Sequence, residues 1–161
     1  MDLNPEQNRP LRLARPLATV RVFQPDDIVL HAAPLSHGSG LYLLAPVARG
    51  ACNLINDAPS FEPNAVMELL RRERVTAIAF LAPTMIVRLL DAAPDRRAPD
   101  LRRILYGGAP IHVDHLRAAV RRFGPILVQL YGQGEAPMTI SYLPASDHQS
   151  DDPSVLSSAG G

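Results

Sequence analysis

Two stretches near the C-terminal end of the chain carry the residue types best suited to holding a ligand: Arg103-Ile-Leu-Tyr-Gly-Gly-Ala-Pro110 and Ile126-Leu-Val-Gln-Leu-Tyr-Gly-Gln-Gly-Glu135. Each passes from a short apolar run, the signature of a buried strand, into glycine. Glycine at the carboxyl end of a strand lets the backbone approach a ligand closely and takes up dihedrals closed to other residues. Open α/β sheets bind their ligands at those carboxyl ends. Two such ends predict one crevice, with Gly107, Gly108 and Ala109 on one side and Tyr131, Gly132, Gln133 and Gly134 on the other.

The remaining reactive side chains are sparse. His31, His112, His115 and His148 do not make a metal set by spacing. His112 and His115 are three apart at the start of a helix and could touch one ligand, yet no third partner is apparent, so surface placement is expected. A single cysteine, Cys52, permits no internal disulfide and no cysteine cluster. Its place in an apolar strand predicts a buried small residue.

The elements that must position the two junctions alternate in type. A strand is expected over 27–33, a short apolar helix over 41–47, a strand over 51–55 and a helix over 61–74. In that helix Pro63 suits the first turn and Val66, Leu69, Leu70 and Val75 share a face. A strand over 77–81 leads into a helix opening at Pro83-Thr84, which turns Met85, Ile86, Leu89 and Leu90 inward. A proline- and charge-bearing loop follows at 92–99. After a strand over 103–106, a helix over 113–123 directs Leu116, Val120 and Phe123 inward and is stopped by Gly124-Pro125. Strands over 126–130 and 138–143 complete the pattern. Short apolar strands alternating with helices give the fold class: α/β, a mostly parallel sheet flanked by helices. Residues 1–24 read as a loosely ordered leader, 25–143 as the α/β unit, and 144–161 as a polar tail that frays for want of a partner.

Composition narrows the classes further. The chain has 161 residues, 47% hydrophobic and 20% charged, with 16 basic residues balanced by 16 acids. A chain of this length buries roughly two-thirds of its unfolded surface as one domain. No nucleic-acid partner is expected from a net charge of zero, and the arginine pairs at 71–72, 96–97, 102–103 and 121–122 read as solvated faces. No stretch approaches the roughly 18 apolar residues of a membrane span. The polar start Met1-Asp-Leu-Asn-Pro5 is not a signal peptide. Together with the lone cysteine, these features predict a cytoplasmic location.

Three segments in order, Ala33-Pro-Leu-Ser-His-Gly-Ser-Gly40, Tyr106-Gly-Gly-Ala-Pro110 and Tyr131-Gly-Gln-Gly-Glu-Ala-Pro137, resemble the adenylate-forming acyl-CoA synthetases, or AMP-dependent synthetases and ligases. Phe61-Glu-Pro and the passage from Val75-Thr-Ala to Ala82-Pro-Thr84 resemble the text between the family's motifs, so the likeness covers about residues 20–161. It implies a fold like one subdomain of that family's N-terminal domain. It also implies an enzyme that activates a carboxylic acid with ATP to an acyl-adenylate and passes the acyl group to coenzyme A.

The resemblance implies roles residue by residue. Glu135 matches the glutamate that holds Mg²⁺, and Tyr131 the aromatic residue that stacks on adenine. Gly132 lets the turn pass the nucleotide, with Gln133 and Gly134 completing that loop. Gly107, Gly108 and Ala109 match the backbone lining the acyl and adenine pocket, and His37 a histidine beside the substrate carboxylate. Without a ligand, the same residues read as a solvated acid, a core tyrosine, a tight strand-to-helix turn and a structural histidine.

The chain also departs from the family pattern. Where relatives carry threonine before the glutamate, this sequence has Gly134. A hydrogen bond to a charged group contributes roughly 1.5–3 kcal/mol, so that change weakens adenylate binding about ten- to a hundredfold. All 16 basic residues are arginine, so neither the phosphate-loop lysine nor the lysine of the family's mobile C-terminal domain is represented. Leu156-Ser-Ser-Ala-Gly-Gly161 resembles the start of the turn before the ribose-binding aspartate. The expectation is an internal slice of an acyl-CoA ligase of the fatty-acid or aromatic-acid type, inert alone and binding ATP, AMP, Mg²⁺ or CoA weakly at most. A slice leaves apolar surface uncovered, so self-association or a complementary chain is expected. Two alternatives remain: an acyl- or nucleotide-binding module or half of a split ligase, and an unrelated flavodoxin-like domain.

Overall fold

A computed structural model describes residues 22–92 and 98–160. The leader expectation therefore lies almost wholly outside the described residues, as does the Arg96-Arg97 pair. Six strands form one sheet: β1 (Ile28–His31), β2 (Cys52–Ile55), β3 (Ala77–Leu81), β4 (Arg103–Gly107), β5 (Leu127–Gln133) and β6 (Ala136–Leu143). Their order is β2-β1-β3-β4-β5-β6. The first five run parallel and β6 returns antiparallel to β5. The expected class, a mostly parallel sheet flanked by helices, is the observed one.

Strand β3, at the centre, is buried at all five positions. A parallel strand covered on both faces needs such a continuous apolar run. Side chains alternate between two cores. Leu30, Ile78, Ile104, Tyr106 and Leu127 face one, and Val29, Ala77, Ala79, Phe80 and Leu105 face the other.

The first core is closed by three helices, α2 (Pro63–Arg72), α3 (Pro83–Asp91) and α4 (Val113–Phe123). Both α2 and α3 open with proline in the first turn, where its missing N–H leaves no bond unmade. The buried faces are Val66, Met67 and Leu70 on α2, Ile86 and Leu89 on α3, and Leu116 and Ala119 on α4. Leu70 is 1% exposed; truncating such a residue to alanine costs about 2–5 kcal/mol. Gly124, at φ 89°, ends α4 in a conformation few other residues adopt.

The second core is thinner, covered by Phe23, by a 3-10 turn over Gly38–Tyr42 and by α1 (Leu44–Ala48). Residues 41–47, expected as one helix, are thus divided between two short ones. Leu41, Leu44 and Val47 there are exposed. Cys52, expected to be buried, is exposed, because β2 is a sheet edge whose two end residues are open and whose middle pair is half-buried. Phe23 is fully buried, so packing begins ahead of the expected start at Pro25.

The stretch after β6 does find a partner. A 3-10 turn over Asp147–Gln149 and the short helix α5 (Pro153–Leu156) bury His148 and Leu156. The expectation of a fraying tail overlooked two buried anchors, Leu156 in the main core and His148 on Tyr106.

At the amino ends of the strands, Asp27 holds the sheet together. Its carboxylate accepts from Thr76 Oγ1 at 2.6 Å, Arg102 at 2.9 Å, Arg103 at 2.9 Å and the Gln24 N–H at 2.7 Å. No helix of the described residues is long and apolar enough to cross a membrane.

Candidate functional site

Strands β4 and β5 end side by side, with Gly107 the register partner of Leu130. A Cβ on Gly107 would collide with the Leu130 carbonyl oxygen. Only glycine allows β5 to pass that close. At Gly108 the backbone turns to φ 83°, which directs residues 108–111 over the end of the sheet. A crevice of about 250 Å³ opens there, lined by residues 108–111, 129–132 and 156–159. Its walls come from both glycine junctions and from the segment after β6.

Tyr131 is 39% exposed and lines this crevice. It lies within β5 rather than in a loop, because pairing with β6 carries β5 three residues beyond its expected end at Leu130. Gln133 Nε2 donates to Tyr131 Oη at 3.1 Å, steadying the phenol. Gly134 and Glu135 form the turn between β5 and β6, and both are exposed.

His37 is exposed and sits 3.0 Å from Ser36 Oγ through Nδ1. Phe80 separates its loop from the crevice: Gly38 packs on that ring from one segment, and Gly107 and Gly108 from another. The structure thus brings Gly108, Ala109, Tyr131 and Gly132 to one crevice, with Gly107 at its edge. Gln133, Gly134 and Glu135 follow in the adjoining hairpin, and His37 lies beyond Phe80. Sequence reasoning missed Gln129 and residues 156–159 as lining. The polar Gln129 inside an apolar strand was the readable signal.

Burial raises the Tyr106 phenol pKa well above its ordinary value. Burial also lowers that of His148, against the smaller upward pull of the Pro144 carbonyl and Asp147. None of the residues lining the crevice is charged. For the Mg²⁺ that the resemblance implies, no group of three or more histidine, cysteine, aspartate or glutamate side chains able to hold a metal exists among the described residues. One exposed carboxylate does not meet the six-oxygen demand of Mg²⁺, so these residues do not fit that ion by themselves.

The sequence profile of the AMP-binding enzyme family matches residues 11–161. Over 122 residues the chain is 38% identical to the medium/long-chain-fatty-acid–CoA ligase FadD8 of Mycobacterium tuberculosis, covering 74% of this chain and 21% of that protein. It is 30% identical over 126 residues to the indoleacetate–CoA ligase of Aromatoleum aromaticum, covering 77% and 24%. Among solved structures, the amide bond synthetase McbA of Marinactinospora thermotolerans matches with a TM-score of 0.76 at 31% identity, over 92% of this chain and 30% of that one. The N-terminal domain of FACL13 from M. tuberculosis shares the fold, with a TM-score of 0.74 at 24% identity, over 92% of this chain and 36% of that one. The chain spans about a fifth of the length of the curated relatives it matches. The flavodoxin-like alternative falls away, and the chain belongs to the AMP-binding enzyme family.

Proposed function

We propose that this chain forms the adenylate-side crevice of an acid–CoA ligase, one that activates a fatty or aromatic carboxylic acid with ATP through an acyl-adenylate. One observation carries the reading: the two glycine junctions that match the family's motifs stand as register neighbours and open into a single crevice. In this reading adenine lies against Tyr131 and passes Gly132, and the acyl side follows Gly107, Gly108 and Ala109. His37 and Glu135 face the reacting carboxylate and phosphate only when further groups complete the site.

Alone, the chain is inert. Adenylation brings two anions together, and it is accelerated by cations and oriented donors placed where charge develops. The crevice has no charged lining, the chain has no lysine, and Gly134 offers no hydroxyl. A complementary chain or a second copy is the expected partner, because Leu41, Leu44 and Val47 are 54%, 76% and 59% exposed beside the edge strand β2. Apolar patches of that kind are usually covered. Calorimetric titration with AMP, ATP·Mg²⁺ and an acyl-adenylate mimic is the test. Weak binding of AMP and the mimic, lost in Tyr131→Ala, is expected; absence of any heat from all three would overturn the reading.

A further inference from the structure

Tyr106 of β4 and Gln129 of β5 are register partners, and both are buried. Tyr106 Oη donates to Gln129 Oε1 at 2.9 Å and lies 2.9 Å from His148 Nε2. His148 Nδ1 lies 2.8 Å from the Pro144 carbonyl oxygen. A carbonyl oxygen only accepts, so Nδ1 carries the proton of that bond. Neutral imidazole has one N–H, which leaves Nε2 as an acceptor. The only hydrogen between Tyr106 and His148 is then the phenol proton.

A phenol has a single hydrogen. Once it is committed to His148 Nε2, Oη can only accept, and the Gln129 amide must rotate from the orientation seen in the structure to bring its NH₂ group toward it. With His148 protonated, Nε2–H donates to Tyr106 Oη and the phenol donates to Gln129 Oε1, the amide orientation seen in the structure. Either arrangement satisfies all three groups. Any mixture sets two acceptors or two donors face to face in a buried place, and unsatisfied buried groups are disfavoured.

Gln129 also forms part of the crevice wall. We propose that His148, acting through Tyr106, sets which end of the Gln129 amide faces the crevice: the carbonyl oxygen while His148 is neutral, and the NH₂ group once it is protonated. At neutral pH the crevice therefore takes a ligand that donates a hydrogen bond at this point, and on acidification one that accepts. His148 and Tyr106 are positioning residues; Gln129 determines specificity.

The surroundings hold His148 neutral at pH 7. Burial disfavours the imidazolium, while the Pro144 carbonyl and Asp147 favour it less strongly, for a net pKa below the ordinary histidine value. The turn carrying His148 packs on β4, α4 and α5. From β4 it meets the neutral phenol of Tyr106. Arg117 of α4 donates to the Asp151 carbonyl at 3.3 Å, and the Asp152 carboxylate accepts from the Ser154 N–H at 2.8 Å.

The inference rests on this hydrogen-bond chain and not on the identity of the crevice ligand. Nuclear magnetic resonance of the full chain labelled with ¹³C and ¹⁵N tests it. At pH 8 we expect His148 as the Nδ1–H tautomer with a bare Nε2, and the Gln129 NH₂ protons in Overhauser contact with the Tyr106 ring. On acidification the Gln129 amide signals shift with the midpoint of His148. In Tyr106→Phe the Gln129 response to His148 disappears. An Nε2–H tautomer at pH 8, or Gln129 NH₂ protons directed away from Tyr106 there, would overturn the proposal even if the variant fails to fold.

Discussion

Gly107 and Leu130 face each other across β4 and β5 with the Leu130 carbonyl oxygen in the space a Cβ on Gly107 would need. The close approach is a backbone-to-backbone contact, so no side-chain rotation relieves it. Gly107→Ala must push the strands apart or twist β4 out of register. Forcing extra atoms into a packed interior costs about 1–3 kcal/mol. Urea denaturation should show a loss of that size; an unchanged midpoint would mean that the junction has slack the structure does not show.

A second expectation concerns acid. Burial alone would raise the pKa of Asp27, but the hydrogen bonds from Thr76 and the Gln24 backbone and the pairing with Arg103 outweigh it and hold the pKa below the ordinary carboxylate value. A carboxylate whose folded pKa is depressed gives stability present above its unfolded pKa and lost as pH falls through the folded one. Stability should therefore fall below about pH 4. Asp27→Asn should flatten that fall and cost about 2–3 kcal/mol at pH 7, since Arg103 loses its partner but keeps some access to solvent. Thermal melts from pH 7 to pH 3 check both, and an unaltered pH slope in the variant would refute the assignment.

The central sheet was legible because its cause is local. The five-residue apolar run 77–81, short for a helix and followed by the Pro83 helix start, suits a strand covered on both faces. The helices expected over 61–74, from Pro83-Thr84 onward and over 113–123 are found at Pro63–Arg72, Pro83–Asp91 and Val113–Phe123, because proline and glycine mark their ends. The two glycine junctions were legible as a pair for the same reason. What escaped was set by long-range contact. Cys52 is exposed because β2 lies at an edge, which no residue within it reveals. Leu156 and His148 are anchors only because β6 turns back and carries them to the end of β4. Tyr131 belongs to a strand because β6 extends its partner.

Tyr42 offers a test of the thinner core. Its hydroxyl is buried without a hydrogen-bond partner among the described residues, and its ring stacks with Phe80 at 6.2 Å. A buried group left unsatisfied costs about 1–3 kcal/mol, whereas the ring itself fills space. Tyr42→Phe keeps the ring and removes the orphan. The variant should be more stable than the parent by up to about 1 kcal/mol, and a clear loss would reveal a partner for the hydroxyl in solution.

The last expectation is for catalysis by this chain on its own. Adenylation needs the triphosphate held while pyrophosphate leaves, and each group that neutralises the growing charge lowers the barrier. Here the crevice walls are uncharged, Glu135 stands alone on an exposed turn, and no lysine exists in the sequence. A loss of about 3 kcal/mol in transition-state stabilisation slows a step more than a hundredfold. Several such losses together extinguish turnover. Carboxylate-dependent pyrophosphate exchange by the purified chain should be undetectable, and Glu135→Ala should change nothing. Robust exchange that Glu135→Ala abolishes would establish a working adenylating enzyme in these 161 residues and refute the charge inventory on which the expectation stands.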